Sequence, residues 1–216
     1  MRYLLPAVAA AAAIAVGAVP ATAKQSPQHR SERVGSHVSL HLSRHSVLSG
    51  QGIVLKGRVR PGGPHRVKVV FRGPGAGAGV ASTATRPNGA FALRWSPGRI
   101  GTYGVRAYGI HDRRTRGSVS LERRITAYHP AAASYYGPGL YGGALACGGT
   151  LQPGTLGVAN KTLPCGAKVK LLYRGRSVTV PVVDRGPYVA GRDFDLTAAT
   201  KARLGFPDVG VLLSSR

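Results

Sequence analysis

Acidic residues are what this chain has least of. Its 216 residues hold seven Asp and Glu (Glu32, Asp112, Glu122, Asp184, Asp193, Asp195 and Asp208) against thirty Lys and Arg, for a formal net charge of +23. That balance implies an anionic partner or surface; nucleic acid, anionic lipid and anionic wall polymer all qualify on charge alone. Cysteine is scarcer still. Cys147 and Cys165 are the only two, and two cysteines without a nearby histidine cannot complete a zinc shell. No metal and no cofactor is expected. No internal repeat and no nucleotide-binding glycine motif occurs, and all seven histidines precede Pro130.

The N-terminus narrows the partners. Arg2 supplies a positive start, Leu4 to Val19 is nearly all apolar, and Ala21-Thr22-Ala23 is a small-x-small cleavage signal. This is the pattern of a secretory signal peptide over 1–23. The alternative is an uncleaved membrane anchor, since the apolar run is nearly long enough to span. The polar sequence that follows at once favours cleavage, which leaves no transmembrane anchor. No cysteine stands near the cleavage site to carry a lipid. Export to the cell envelope or beyond argues against a nucleic-acid partner. It also makes the cysteine pair readable: an even count in a secreted chain suggests a disulfide, with two free thiols as the alternative.

Residues 24–36 are polar, without apolar periodicity, and read as a flexible leader. From 37 to 128 the pattern is short alternating strands. Val38, Leu40 and Leu42 alternate with polar residues, as do Ile53, Leu55 and Val59, then Val67, Val69 and Phe71. A weaker strand lies near Val80 to Arg86; Phe91 to Trp95, Tyr103 to Ala107 and Val119 to Leu121 follow. Gly and Pro clusters separate them. Seven short period-2 strands at this spacing predict a β-sandwich, immunoglobulin-like in type. Asn88-Gly89-Ala90-Phe91 with Gly101-Thr102-Tyr103 resembles bacterial Ig-like wall modules. His37, His41 and His45 recur every fourth residue, but on a strand the first two stand about 13 Å apart, too far to share an ion. Between Lys24 and His129 there are nineteen basic and three acidic residues. Two readings of that face stand open: a merely solvated surface, or electrostatic adhesion to anionic wall polymers.

Residues 129–132 read as a linker and 133–216 as a second domain. Ala133 to Tyr136 is its first strand, Ala167 to Tyr173 and Arg176 to Val183 form a hairpin, and Val209 to Leu213 closes it. Thr197 to Leu204 is a short helix with Thr197 as N-cap and Gly205 at the stop. Three stretches stand out: Ala133-Ser134-Tyr135-Tyr136-Gly137-Pro138-Gly139; Thr162-Leu163-Pro164-Cys165-Gly166; and Val183-Asp184-Arg185-Gly186-Pro187 followed by Asp195-Leu196-Thr197. Together and in this order they resemble the RlpA-like double-psi β-barrel of septal-ring lytic transglycosylases, a barrel shared with expansins and barwin-type proteins.

The resemblance implies a six-stranded barrel and a non-hydrolytic cleavage of the bond between N-acetylmuramic acid and N-acetylglucosamine in peptidoglycan glycan strands. One carboxyl group protonates the leaving oxygen, and the substrate's own hydroxyl attacks to give a 1,6-anhydro product. Asp184 matches the family aspartate and is the candidate for that role; a turn aspartate bonding nearby amides is the alternative. Asp195 matches the aspartate of the Asp-Leu-Ser/Thr motif, against the alternative of an acid capping the helix. Tyr135, Tyr136, Asn160, Arg185 and Tyr188 are candidate sugar contacts. Two departures matter. The family glutamate falls on Gly149 and the family histidine on Asn160, and a glycine cannot transfer a proton. The resemblance therefore also admits a non-catalytic, expansin-like module that binds or loosens the wall. A secreted inhibitor or structural wall protein is a third reading.

Overall fold

The computed structural model describes residues 35–75, 78–110 and 116–216. The expected signal peptide and all but the last two residues of the leader lie outside them. The N-terminal half carries β1 (His37–Leu42), β2 (Ser46–Leu48), β3 (Ile53–Arg60), β4 (Arg66–Arg72), β5 (Ala78–Ala84), β6 (Ala90–Trp95), β7 (Gly101–Gly109) and β8 (Ser118–Val119). Then come β9 (Arg123–Tyr136), β10 (Val158–Ala159), β11 (Lys168–Tyr173), β12 (Arg176–Asp184), β13 (Phe194–Thr197), α1 (Ala198–Leu204) and β14 (Gly210–Ser214).

The first half is two sheets around one core. β1, β3 and β6 form an antiparallel sheet; β5, β4, β7 and β9 form the other, with β2 added in parallel to β9 and β8 antiparallel to β7. Alternation decides which side chains point in. Val67, Val69 and Phe71 of β4 face Val38 and Leu40 of β1 and Leu55 of β3 within one buried cluster. Each such side chain removed from water contributes about 1.5–3 kcal/mol. Trp95 stacks on Phe71 at 4.3 Å between ring centroids and meets Tyr103 edge-on at 5.1 Å. Gly57 holds the inward place between Leu55 and Val59 because nothing larger fits: a Cβ there would lie 2.2 Å from the Phe91 ring and from the Ser39 carbonyl. The layering is a sandwich. Arg58, Arg60, Arg66, Arg72 and Arg94 are all exposed, as the alternation requires.

The second half closes on itself. β9 pairs β13, β13 pairs β10, β10 pairs β12, β12 pairs β11, β11 pairs β14, and β14 returns to β9. This ring of six strands is a barrel, filled by Ala131, Ala133, Val169, Leu171, Phe194, Leu196 and their neighbours. Helix α1 begins and ends as its sequence requires. Thr197 accepts from the Thr200 amide as N-cap, and Gly205 stops the helix in a left-handed conformation with its amide on Ala202 and Lys201 carbonyls.

Residues 129–132, expected as a linker, are instead the middle of β9. That strand runs unbroken from the sandwich into the barrel; at about 3.3 Å per residue it is roughly 46 Å long. Its first part pairs β7 (Gly101↔Ala127 to Val105↔Arg123) and its second pairs β14 (Ser214↔His129 to Gly210↔Ala133). Pro130 stands opposite Leu213 in that second pairing, and Ala131 and Ala133 are small enough to sit inside the barrel.

Candidate functional site

The strand register places Asp184 and Asp195 in one row. Asp184, last residue of β12, stands opposite Ala159 of β10; Ala159 stands opposite Asp195 of β13; Asp195 stands opposite Ser134 of β9. Two strand spacings separate the aspartates, about 10 Å between backbones. A register irregularity between Val158 and Ala159 is what brings Asp184 into line.

Asp195 leaves the helix alone. It alternates with the buried Phe194 and Leu196, and its Oδ1 accepts a hydrogen bond from the Ser134 hydroxyl, which in turn accepts from Arg192 Nη1 at 2.9 Å. The capping alternative falls to Thr197, which does cap α1. Asp184 shows the amide bonding expected of a turn aspartate. Its Oδ1 accepts from the Arg185 amide at 2.8 Å and from the Ala146 amide at 2.9 Å. Those bonds dock the Gly-rich loop after β9 against the end of β12, helped by the Cys147 amide on the Val183 carbonyl at 3.2 Å.

Tyr136 stands near both carboxylates. Its hydroxyl is buried near Asp184 and Asp195 without reaching a well-formed hydrogen bond. Burial first, then the charge of Asp184 and its acceptor oxygen, then the charge of Asp195, hold the phenol far above its ordinary value of 10.0. The group therefore stays protonated and keeps a hydrogen to donate. Tyr135, on the opposite side of β9, packs against the barrel core and has the Lys201 ammonium 3.8 Å above its ring. It lies away from the row. Tyr188 is 87% exposed, in the loop after β12. A Cβ built at Gly186 would lie 3.7 Å from the Tyr188 ring and 3.8 Å from Ala159, so this ring flanks the row. Tyr141, 40% exposed, flanks the other side, its hydroxyl beside Gly137.

Asn160 and Arg185 hold the frame. Asn160 is buried; its Nδ2 donates to the Asp193 carbonyl at 2.9 Å, and its Oδ1 accepts from the Thr162 and Leu163 amides at 3.1 and 2.8 Å. Arg185 Nη1 donates to the Asn160 and Leu163 carbonyls at 3.1 and 3.0 Å, and Nη2 to Cys165 Sγ at 3.1 Å. Both side chains are spent on the loop that carries Cys165. That cysteine is bonded to Cys147. Asp193 is also structural, its Oδ2 accepting from the Ala132 amide at 2.8 Å. Gly149 is exposed at φ 78, and a Cβ there would meet nothing within 4 Å. Ser134 and Arg192 were not singled out from sequence. Ser134 lies within a quoted motif, but only the pairing of β9 with β13 shows which acid it serves. Among the described residues no group of three His, Cys, Asp or Glu could hold a metal ion.

Residues 130–213 match the family model described as "Lytic transglycolase". Among curated proteins, the "Probable endolytic peptidoglycan transglycosylase RlpA" of Synechocystis sp. is 42% identical over 81 residues, 37% of this chain and 25% of that protein. The protein of the same description from Aquifex aeolicus is 39% identical over 92 residues, 42% of this chain and 41% of that protein. The "Endolytic peptidoglycan transglycosylase RlpA" of Campylobacter jejuni is 42% identical over 74 residues, 33% of this chain and 27% of that protein. The match thus spans from a quarter to about two fifths of the length of these relatives. The solved structure of "Streptomyces papain inhibitor (SPI)" is similar at 24% identity, covering 41% of this chain and 92% of that one with a TM-score of 0.34. The family match, these relatives and the closed ring of six strands agree: residues 130–213 of this chain are an RlpA-like double-psi β-barrel.

Proposed function

We propose that the barrel acts on peptidoglycan glycan strands in the manner of a lytic transglycosylase, with Asp184 as the proton-transfer group and Asp195 shaping the same groove. The observation that carries this is the row Asp184–Ala159–Asp195–Ser134, which sets two carboxylates on nearby strands beside a buried phenol. Protonated Asp184 gives its proton to the glycosidic oxygen as the bond to C1 breaks. The carboxylate so formed takes the proton of the muramyl 6-hydroxyl as that oxygen bonds to C1. The products are a free 4-hydroxyl on one sugar and a 1,6-anhydro ring on the other, with no water consumed. Tyr136, held protonated, can offer its hydroxyl hydrogen to a sugar or carboxylate oxygen and carries no proton away. Tyr188 and Tyr141 offer ring faces to sugars on either side.

A second reading, a non-catalytic and expansin-like wall-binding module, is favoured by one feature: the place of the family glutamate is Gly149, which has no side chain to contribute. In both readings we take the chain to be exported to the cell envelope. We take the sandwich to be an immunoglobulin-like module whose basic surface adheres to anionic wall polymers.

The test is a digest of purified peptidoglycan, with and without stem peptides, read by mass spectrometry for 1,6-anhydro ends. Products from the wild type that vanish with Asp184→Asn support the transglycosylase. A protein that pellets with the wall and releases no such ends is the binding module.

A further inference from the structure

We propose that the cleft between the sandwich and the barrel is a second binding site, for an oxyanion carried on a polyol or sugar chain. The inference refines the adhesion to anionic wall polymers proposed above and rests on that reading. The cleft encloses about 780 Å³ and takes its walls from both halves of the molecule. That is ample for a sugar or polyol unit bearing one charged group.

Its chemistry is one-sided. From the barrel come Lys168 and Lys170, alternate residues of β11, with Thr179 of β12 opposite Lys170. From the sandwich comes a row of three hydroxyls across adjacent strands, Ser46 opposite Thr126 and Thr126 opposite Thr102. Arg124 and Arg216 complete the charged rim. No aspartate or glutamate is among the described residues that line the cleft. Glu122, outside it, reaches Arg124 at 3.7 Å but pairs more closely with Arg106 at 3.3 Å. Lys168, Lys170 and Arg216 have no ion pair to a carboxylate among the described residues. Ammonium and guanidinium groups beside several hydroxyls, with no aspartate or glutamate side chain in the lining, suit an oxyanion whose remaining oxygens need donors.

The site is also held in shape before anything binds. Arg124 and Thr126 lie on β9, the strand both halves share. The Thr126 and Thr102 hydroxyls are 3.2 Å apart, and Lys170 Nζ reaches the Thr126 hydroxyl at 3.4 Å. Arg216 Nε donates to the Lys168 carbonyl at 3.3 Å. A preformed cleft loses little conformational freedom on binding. Thr179 stands five residues before Asp184 on β12, about 16 Å along the strand, so the cleft and the carboxylate row are separate. One molecule can hold a charged polymer at the cleft and a glycan at the row together.

The experiment is titration calorimetry on the full chain near physiological salt, with soluble poly(glycerol phosphate) and polygalacturonate as the two probes. Whichever binds more tightly shows whether phosphate or carboxylate is the preferred oxyanion. Lys168→Gln with Lys170→Gln is compared with Lys56→Gln with Arg58→Gln, which removes the same charge from the outer face of β3. We expect the cleft pair to weaken binding on the order of tenfold, the size of one lost charge-assisted hydrogen bond, and the β3 pair less than about twofold. Arg124→Gln, on an exposed side chain, repeats the test without touching β11. Equal losses from the cleft and β3 pairs overturn the site and leave general charge attraction. Binding of neither probe by the wild type overturns the site and the broader adhesion reading together.

Discussion

Asp184 has a structural role and a proposed catalytic one, and one substitution separates them. Its Oδ1 ties down the Ala146 and Arg185 amides. An asparagine keeps a carbonyl oxygen for both, so Asp184→Asn should change stability by less than about 1 kcal/mol. It has no proton to transfer at the glycosidic oxygen, so release of anhydro ends should fall by about 10²–10⁴. A melt beside a product assay checks both halves. Tyr136 makes a prediction with a definite sign. An unfolded tyrosine ionises near 10.0, and the folded Tyr136 only well above that. Over that window the native chain holds a proton the unfolded chain has lost, so stability is complete below about pH 10 and falls as pH rises. Urea unfolding at about pH 9 and pH 11 should show that fall, and Tyr136→Phe should reduce it. Tyr128, also raised by burial, keeps some of the slope. The two aspartates were legible in the sequence because each sits in a motif. Their partners were not: Ser134 and Ala146 meet them through strand register and loop docking, which no local pattern encodes.

At the scale of elements, the loop around Cys147 and Cys165 is the part that frames the row. The bond spans 18 residues and should contribute about 3 kcal/mol by constraining the unfolded chain. Changing both cysteines to serine should lower stability by that amount in denaturant titration. Helix α1 rests on Thr197, which is buried, caps the helix and bonds to Gly157 and Thr200. Thr197→Ala should cost about 1–3 kcal/mol, more than an exposed cap. This helix was legible from its threonine and glycine, as were the two long barrel strands from their alternation. β10 and β13 were not. They are two and four residues long, and they are strands only because β12 and β9 lie beside them. The first part of β9 was missed as well, since a buried run of Ile125 to Tyr128 leaves no alternation to read.

For the whole molecule, β9 is the consequential feature. A sequence reading of two domains and a linker expects two independent units; a shared strand with a core on each side couples them. Calorimetry should show one unfolding transition for the wild type. Inserting Gly-Ser-Gly-Ser between Tyr128 and His129 should split it into two, because each half keeps its own core while the strand no longer joins them. We place the glycan on the carboxylate row. The most direct test is to follow the backbone amides by NMR while titrating a soluble glycan oligomer freed of stem peptides. That placement predicts shifts at Tyr136, Ala146, Asp184, Asp195 and Tyr188, with Lys168 and Lys170 unmoved. Shifts confined to the cleft residues, or none at the row at saturating glycan, would contradict it.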